Sequence, residues 1–200
     1  MTRDAETLAF YDRAAGDYAD RFTEAKPGRE LKAFVALLPP GGTVLDLGCG
    51  PGSTSANLRD AGFSVTASDA SQGMLDIARD RFGINGRLAT FDQLDDIDAF
   101  DGIWCNFSLL HAPRADMPTN LARIHHALRT NGVLHLGLKL GQGEARDRLG
   151  RLYTYYAEAE LMALLAASGF LVLDHTILQE KGMAGDIEPA ITLRARKDPS

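Results

Sequence analysis

Val44-Leu45-Asp46-Leu47-Gly48-Cys49-Gly50-Pro51-Gly52 is a short apolar, β-favouring run that stops at a cluster of glycines. A helical stretch, 53–60, follows at once. A strand that ends in a glycine turn before a helix presents backbone N–H groups to a ligand at the helix N-terminus. Glycine is required because a Cβ would block close approach and because such a turn visits φ > 0. Asp69, nineteen residues after Gly50, closes the next apolar run, Phe63-Ser64-Val65-Thr66-Ala67-Ser68. A carboxylate at about that distance is placed to accept both hydroxyls of a ribose. Loop and carboxylate together indicate a nucleoside cofactor.

The loop reads G-C-G-P-G, and Ser53 stands where a dinucleotide fingerprint has its third glycine. Asp46 adds negative charge where a pyrophosphate would sit, and suits a cationic head group instead. VLDLGCGPG at 44–52 resembles the first motif of the class I S-adenosylmethionine (SAM)-dependent methyltransferases, and the likeness continues as an ordered series of motifs over about residues 5–178. The resemblance implies that Asp46, Gly48, Cys49 and Gly50 hold the methionine part of SAM. It places Asp69 and Ala70 at the ribose, Met74 against the adenine, and Asp92 with Gln93 at the adenine amino group. Asn106 and Phe107, after the FD-x-(apolar) run Phe100–Cys105, would border the sulfonium. Tyr11-Asp12-Arg13-Ala14-Ala15-Gly16-Asp17-Tyr18 is similar to a family opening that caps the cofactor, which makes Tyr11 and Tyr18 candidates too.

Outward from the loop the rhythm is strand, helix, strand, helix, which predicts a parallel sheet with right-handed crossovers. The patterns place strands near 43–47, 64–68, 87–91, 100–105 and 132–138, and helices near 53–60, 71–81, 116–129 and 157–167. The helix at 116–129 has Met117, Leu121, Ile124 and Leu128 as its apolar stripe and Asn131-Gly132 as its stop. Two amphipathic helices precede the first strand: one carries Leu8, Tyr11, Ala15, Tyr18 and Phe22, the other Leu31, Phe34, Val35 and Leu38. Phe170–Leu178 and Ile187–Arg196 are joined by too few residues for a crossover helix, so they pair antiparallel. On the last run Ile187, Ile191, Leu193 and Ala195 share one face, and Glu188, Thr192, Arg194 and Arg196 the other. This ending matches the methyltransferase order 3-2-1-4-5-7-6, a Rossmann-like doubly wound sheet with its last strand antiparallel. The expected organisation is a single domain over 1–200, with 1–42 a helical cap and 43–200 the core.

With 45% hydrophobic and 24% charged residues the chain can bury a full core. A net charge of −6 gives no basic footprint for nucleic acid. No apolar run approaches the roughly 18–20 residues that span a bilayer. The opening MTRDAETLAF lacks the basic and apolar regions of a leader. The expectation is a cytoplasmic protein, monomer or homodimer, with no membrane partner. Cys49 and Cys105 read as small packing residues in a reducing compartment. No spacing of Cys, His, Asp and Glu resembles a metal site, and His125 and His126 point about 100° apart on their helix.

Methyl transfer from a sulfonium needs alignment and exclusion of water, and a base only where the acceptor must lose a proton. His111, after the fourth strand, is the candidate base and also a candidate acceptor contact. The segment from Lys139 to Tyr156 holds four basic residues against two acids, glycines and three tyrosines. It reads as a lid over an anionic or aromatic acceptor, with Lys139, Arg146, Arg151, Tyr153 and Tyr155 as contacts. The function expected is SAM-dependent methylation of a small molecule by in-line displacement. Its rivals are an RNA (tRNA) methyltransferase, an NAD(P)-dependent oxidoreductase and a non-catalytic SAM-binding module.

Overall fold

The computed structural model describes residues 3–23 and 26–198; Met1 and Thr2 of the opening stretch, Glu24, Ala25, Pro199 and Ser200 lie outside the described residues. At its centre β1 (Thr43–Leu47) pairs in parallel with β2 (Ser64–Asp69) on one side and β4 (Phe100–Asn106) on the other. β3 (Arg87–Leu88) flanks β2, and β5 (Leu128–Lys139) flanks β4, both in parallel. β8 (Phe170–Lys181) and β9 (Ile187–Lys197) complete the sheet as an antiparallel hairpin, with β9 also antiparallel to β5. The order is β3-β2-β1-β4-β5-β9-β8. It is the expected 3-2-1-4-5-7-6, once a separate small hairpin, β6 (Glu144–Arg146) with β7 (Leu152–Thr154), takes two numbers.

The central strands Val44–Leu47 and Val133–Lys139 are buried throughout, as strands covered on both faces must be. On one face α2 (Arg29–Val35) and α3 (Ser53–Asp60) bury Leu31, Phe34 and Leu58 against Val44, Trp104 and Val133. On the other, α5 (Met117–Ala127) and α6 (Glu158–Ala167) bury Leu121, Ile124, Leu161 and Leu165 against Ile103, Leu134 and Leu193. Burial of one such side chain contributes about 1.5–3 kcal/mol, so these layers hold the fold.

Four expectations change. The helix predicted to run to 129 ends at Ala127, because Leu128 already pairs with Phe100 as the first residue of β5; Asn131 sits inside that strand at φ +64°. The third strand shrinks to two exposed residues and gives way to a 3-10 turn over Phe91–Gln93. The 139–156 segment is not wholly loop, since it contains the β6–β7 hairpin. The polar face of β9 is buried at Thr192 and Arg194, while Ile187 is 66% exposed. Arg194 pairs there with Glu30 of α2 and with Asp174.

α1 (Ala5–Phe22) is capped by Asp4, which accepts from Thr7 N at 2.9 Å, and it lies over the carboxyl ends of the strands. Its Asp12 carboxylate accepts from Ser71 Oγ at 2.7 Å and from Gly73 N at 3.1 Å, at the start of α4 (Gln72–Phe82). A Cβ at Gly73 would stand 2.6 Å from the Asp12 carbonyl oxygen. Gly73→Ala tests this contact. Helix propensity favours the alanine by about 1 kcal/mol, but a backbone oxygen cannot yield as a side chain can. Hydrogen exchange of α1 is therefore expected to speed up while that of the sheet stays unchanged.

Candidate active site

Open α/β sheets bind ligands beyond the carboxyl ends of their strands, where strand order reverses. Here that point lies between β1 and β4. Gly48, Gly50 and Gly52 all have positive φ (81°, 52° and 85°), so the loop after β1 is a turn only glycine adopts without strain. Gly48 N and Cys49 N both donate to Ser68 O, at 2.8 and 2.9 Å, which ties the loop to β2. Asp69 is fully buried; its two oxygens accept from Gly50 N at 2.8 Å and Ser71 N at 2.9 Å. The backbone N–H of Ala70 also donates to it, and a carboxylate offers about four lone-pair sites, so one remains for a ribose hydroxyl.

Three cavities meet above this loop, and Tyr18 and Phe107 line all of them. The first, about 40 Å³, is bounded by Gly48, Gly50, Asp69, Met74, Asn106 and Tyr11. The second, about 70 Å³, is bounded by His111, Lys139, Arg151, Tyr153 and residues 180–183 of the β8–β9 turn. The third, about 350 Å³, opens between the starts of α2 and α3 beside Trp104 and Asn106. Phe107 has φ +53°, a strained conformation for a residue with a Cβ, and it turns the chain after β4 across the meeting point.

The sequence candidates therefore divide. Asp69, Met74, Gly48, Gly50, Asn106, Phe107, Tyr11 and Tyr18 come together around one space. Cys49 is buried beside them, its thiol pushed well up by burial. Ala70 packs against the core edge. Asp92 lies at a different cavity, bonded to Arg3 and to Thr90 Oγ1. Gln93 closes its own 3-10 turn by accepting from Thr90 N at 2.8 Å, so its side chain is spent locally. His111, Lys139, Arg151 and Tyr153 gather on the second cavity, whereas Arg146 turns outward to Asp4 and Glu6. Tyr155 is half-buried and donates to Glu188 at 3.0 Å. Sequence reasoning missed Glu180 and Lys181. A signal existed: β8 runs in the direction of β5, so its end must reach the same edge as Lys139.

Asp46 is 2% exposed and accepts from Ser55 Oγ at 2.6 Å. Burial pushes its carboxyl up to about 7, Asp69 adds to the rise and the Ser55 hydroxyl opposes it. The folded chain thus keeps a proton that the unfolded chain gives up. This contribution to stability is complete below the ordinary carboxylate range and is lost as pH rises through 7. Unfolding free energy is expected to fall by up to about 1.4 kcal/mol per pH unit between roughly pH 5 and 7. In urea titrations Asp46→Asn should flatten that slope, with a remainder from Asp69, whose carboxyl burial also raises.

A family profile described as a methyltransferase domain matches residues 44–132. Malonyl-[acyl-carrier protein] O-methyltransferase of Serratia marcescens is 34% identical over 125 residues, 62% of this chain and 49% of that protein. Trans-aconitate 2-methyltransferase of Variovorax paradoxus is 35% identical over 141 residues, 67% of this chain and 51% of its own. The chain spans about half the length of these curated relatives. The crystal structure of Burkholderia thailandensis 1,6-didemethyltoxoflavin-N1-methyltransferase, with 1,6-didemethyltoxoflavin and S-adenosylhomocysteine bound, superposes with a TM-score of 0.75. It is 27% identical, over 97% of this chain and 88% of the other. The chain carries a methyltransferase domain over 44–132 and is similar, over most of its length, to a SAM-dependent methyltransferase.

The residues of this site fit SAM as a donor set. Asp69 has a lone-pair site to spare, and a Cβ on Gly50 would project into open space rather than into protein. Asp46 stands behind the loop as the buried carboxylate that a cationic ligand would draw into its ionised form. Space is the one misfit. Pockets that hold ligands of this size run to about 300 Å³ or more, and Tyr11 and Tyr18 leave about 40 Å³ beside Asp69. That space joins the wider cavity of about 350 Å³ at Tyr18, Asn106 and Phe107. Among the described residues no helix is long and apolar enough to cross a membrane.

Proposed function

We propose that this chain transfers the methyl group of SAM to a small-molecule acceptor by in-line displacement. Bound SAM supplies a methyl group already activated by its sulfonium. Asp69 and the glycine loop hold the nucleoside, and Tyr18 and Phe107 form the wall through which the methyl group passes. The second cavity takes the acceptor. The observation that carries the reading is the sharing of Tyr11, Tyr18, Phe107 and His111 by the Asp69 cavity and the Lys139–Arg151 cavity. Two ligands seated there would meet at those four side chains.

The acceptor cavity is narrow, about 70 Å³, and Tyr11, Tyr18, Phe107 and Tyr153 line it, which supports a small flat compound over a polymer. The basic residues of the 139–151 segment also argue for this. Lys139 pairs with Glu188, Arg146 with Asp4, Arg148 with Asp186 and Arg151 with Asp147, so no unbalanced stripe faces phosphates. The Burkholderia relative, with 1,6-didemethyltoxoflavin bound, supports a small-molecule acceptor.

Calorimetry with SAM and with NADH, each alone, tests the cofactor, and release of S-adenosylhomocysteine with an acceptor panel tests the transfer. Heat with SAM only, and turnover with small acceptors, is expected. Binding of NADH alone would return the chain to the oxidoreductase reading, and SAM binding with no turnover would leave a binding module.

A further inference from the structure

At the junction of the cofactor and acceptor cavities runs a chain of buried hydrogen bonds whose directions are fixed by its ends. His111 Nδ1 lies 2.6 Å from the carbonyl oxygen of Leu152. A carbonyl only accepts, so Nδ1 carries the hydrogen and Nε2 carries the lone pair. Tyr11 Oη is 2.8 Å from that Nε2, so the tyrosine donates to it. At its other end Arg151 Nη1 donates to Tyr11 Oη at 2.9 Å. A phenolic oxygen has two lone pairs, and one remains after Arg151 is served. Tyr11 and His111 line both cavities, so that lone pair belongs to the place where an acceptor meets the methyl group.

We infer that Tyr11 and His111 form a proton relay, and that the acceptor is a planar compound bearing an ionisable O–H or ring N–H. The inference rests on the methyl-transfer reading above. The acceptor proton passes to Tyr11 Oη as the bond from acceptor O or N to the incoming methyl carbon forms. The tyrosine's own proton passes to His111 Nε2 in the same event. The tyrosine is regenerated, the histidine ends as imidazolium on the Leu152 carbonyl, and the carbon–sulfur bond breaks to leave neutral S-adenosylhomocysteine. Net charge in the cleft does not change: one cation, the sulfonium, is exchanged for another, the imidazolium. This reconciles the relay with burial, which holds the His111 imidazole down to about 3. A neutral His111 is the form that accepts a proton.

The aromatic wall beside the relay selects the acceptor. Tyr18, Phe107 and Tyr153 are flat surfaces, and Lys139 Nζ stands 4.0 Å from the centre of the Tyr153 ring. Lys139 is 7% exposed at its side chain and paired with Glu188, so the wall it shares with Tyr153 carries no unbalanced charge. Such walls favour a conjugated O–H or N–H whose charge spreads over a ring. An acceptor that arrives already ionised needs no relay.

Two experiments test this. The first needs no acceptor: in 15N-histidine-labelled protein, His111 is expected as the Nδ1–H tautomer at neutral pH, and Tyr11→Phe should shift its Nε2 resonance. An Nε2–H tautomer would overturn the relay. The second measures S-adenosylhomocysteine release with 4-methoxyphenol, 4-nitrophenol, 2-hydroxypyridine, thiophenol and benzoate, just above neutral pH. Tyr11→Phe and His111→Asn are expected to lower kcat for the protonated 4-methoxyphenol about 100-fold or more. For the mostly ionised 4-nitrophenol the loss should be only a few-fold, and alkaline pH should rescue the first. Equal losses for both phenols, turnover confined to thiophenol and benzoate, or SAM binding without turnover of any of the five, would overturn the inference. Absence of SAM binding by the unaltered protein would instead remove the methyl-transfer reading beneath it.

Discussion

Asp69→Ala is expected to abolish tight SAM binding and to loosen the fold at the same time. The carboxylate holds Gly50 N and Ser71 N at 2.8 and 2.9 Å in a fully buried position. Alanine leaves both N–H groups without a partner, at about 1–3 kcal/mol each. Against this stands the relief of no longer burying a carboxyl group, whose charged form burial disfavours. The orphaned donors win because there are two of them, and a net loss of roughly 2–4 kcal/mol is expected. SAM then loses its ribose acceptor and a loop held in shape, so its affinity should fall by about 5–150-fold, the equivalent of roughly 1–3 kcal/mol. Thermal melting and calorimetry on the same sample separate the two effects. Asp69→Asn is the finer probe: its one carbonyl oxygen satisfies one N–H, while its amide hydrogens oppose the other. SAM affinity equal to that of the unaltered protein in a folded Asp69→Ala variant would detach the ribose from this residue.

That Asp69 stood out in the sequence, and Arg151 much less so, has a physical cause. Glycines at 48, 50 and 52 and a carboxylate at the end of an apolar run are local requirements of a turn and a strand end, so they leave a local trace. The same holds for Ser71, which caps α4 by accepting from Met74 N at 3.2 Å, and for Gly83, which ends that helix at φ +66°. Elements made by distant partners leave no such trace. Leu128 fits the helical stripe of α5 as well as it fits a strand, and its pairing with Phe100 decides. Glu144-Ala145-Arg146 has no strand-like alternation. It is a strand because Asp147 accepts from Leu149 N and Arg151 N at 2.9 and 3.0 Å and closes the turn of the hairpin. Arg194 reads as an exposed cation until Glu30, 164 residues away in sequence, is brought beside it. The candidate site follows the same rule: the glycine loop and Asp69 are set by a strand end, whereas Glu180 and Lys181 reach the acceptor cavity only through the pairing of β8 with β9.

Arg151 is where that assembly is held, and its removal should be among the costliest single changes in the chain. Its side chain is 2% exposed, an unusual place for a guanidinium. Asp147 Oδ2 accepts from Arg151 Nε at 3.0 Å and from Nη2 at 2.6 Å, and Tyr11 Oη accepts from Nη1. The rings of Phe10, Tyr11 and Tyr153 surround the guanidinium at 5.0, 5.6 and 5.1 Å. Leu152 N donates to Thr7 Oγ1 at 2.9 Å one residue on, so the hairpin and α1 are stitched into one cover. Arg151→Met keeps much of the volume but strands the Asp147 carboxylate, which is 11% exposed. Breaking a buried pair from one side costs about 3–5 kcal/mol, and that loss is expected in urea titrations. Replacing both partners, Arg151→Met with Asp147→Asn, should recover most of it, because no buried charge is then left alone and the amide oxygen still closes the turn at Leu149 N and Arg151 N. Function should not recover with stability. In the double variant Tyr11 has lost the donor that fixes its oxygen, so hydrogen exchange of α1 should remain fast after the melting temperature returns. If the double variant were as unstable as the single one, packing on the three rings rather than the ion pair would be what anchors the cover. If exchange of α1 also returned to normal, Arg151 would have no part in orienting Tyr11, and the hydroxyl would be held by His111 alone.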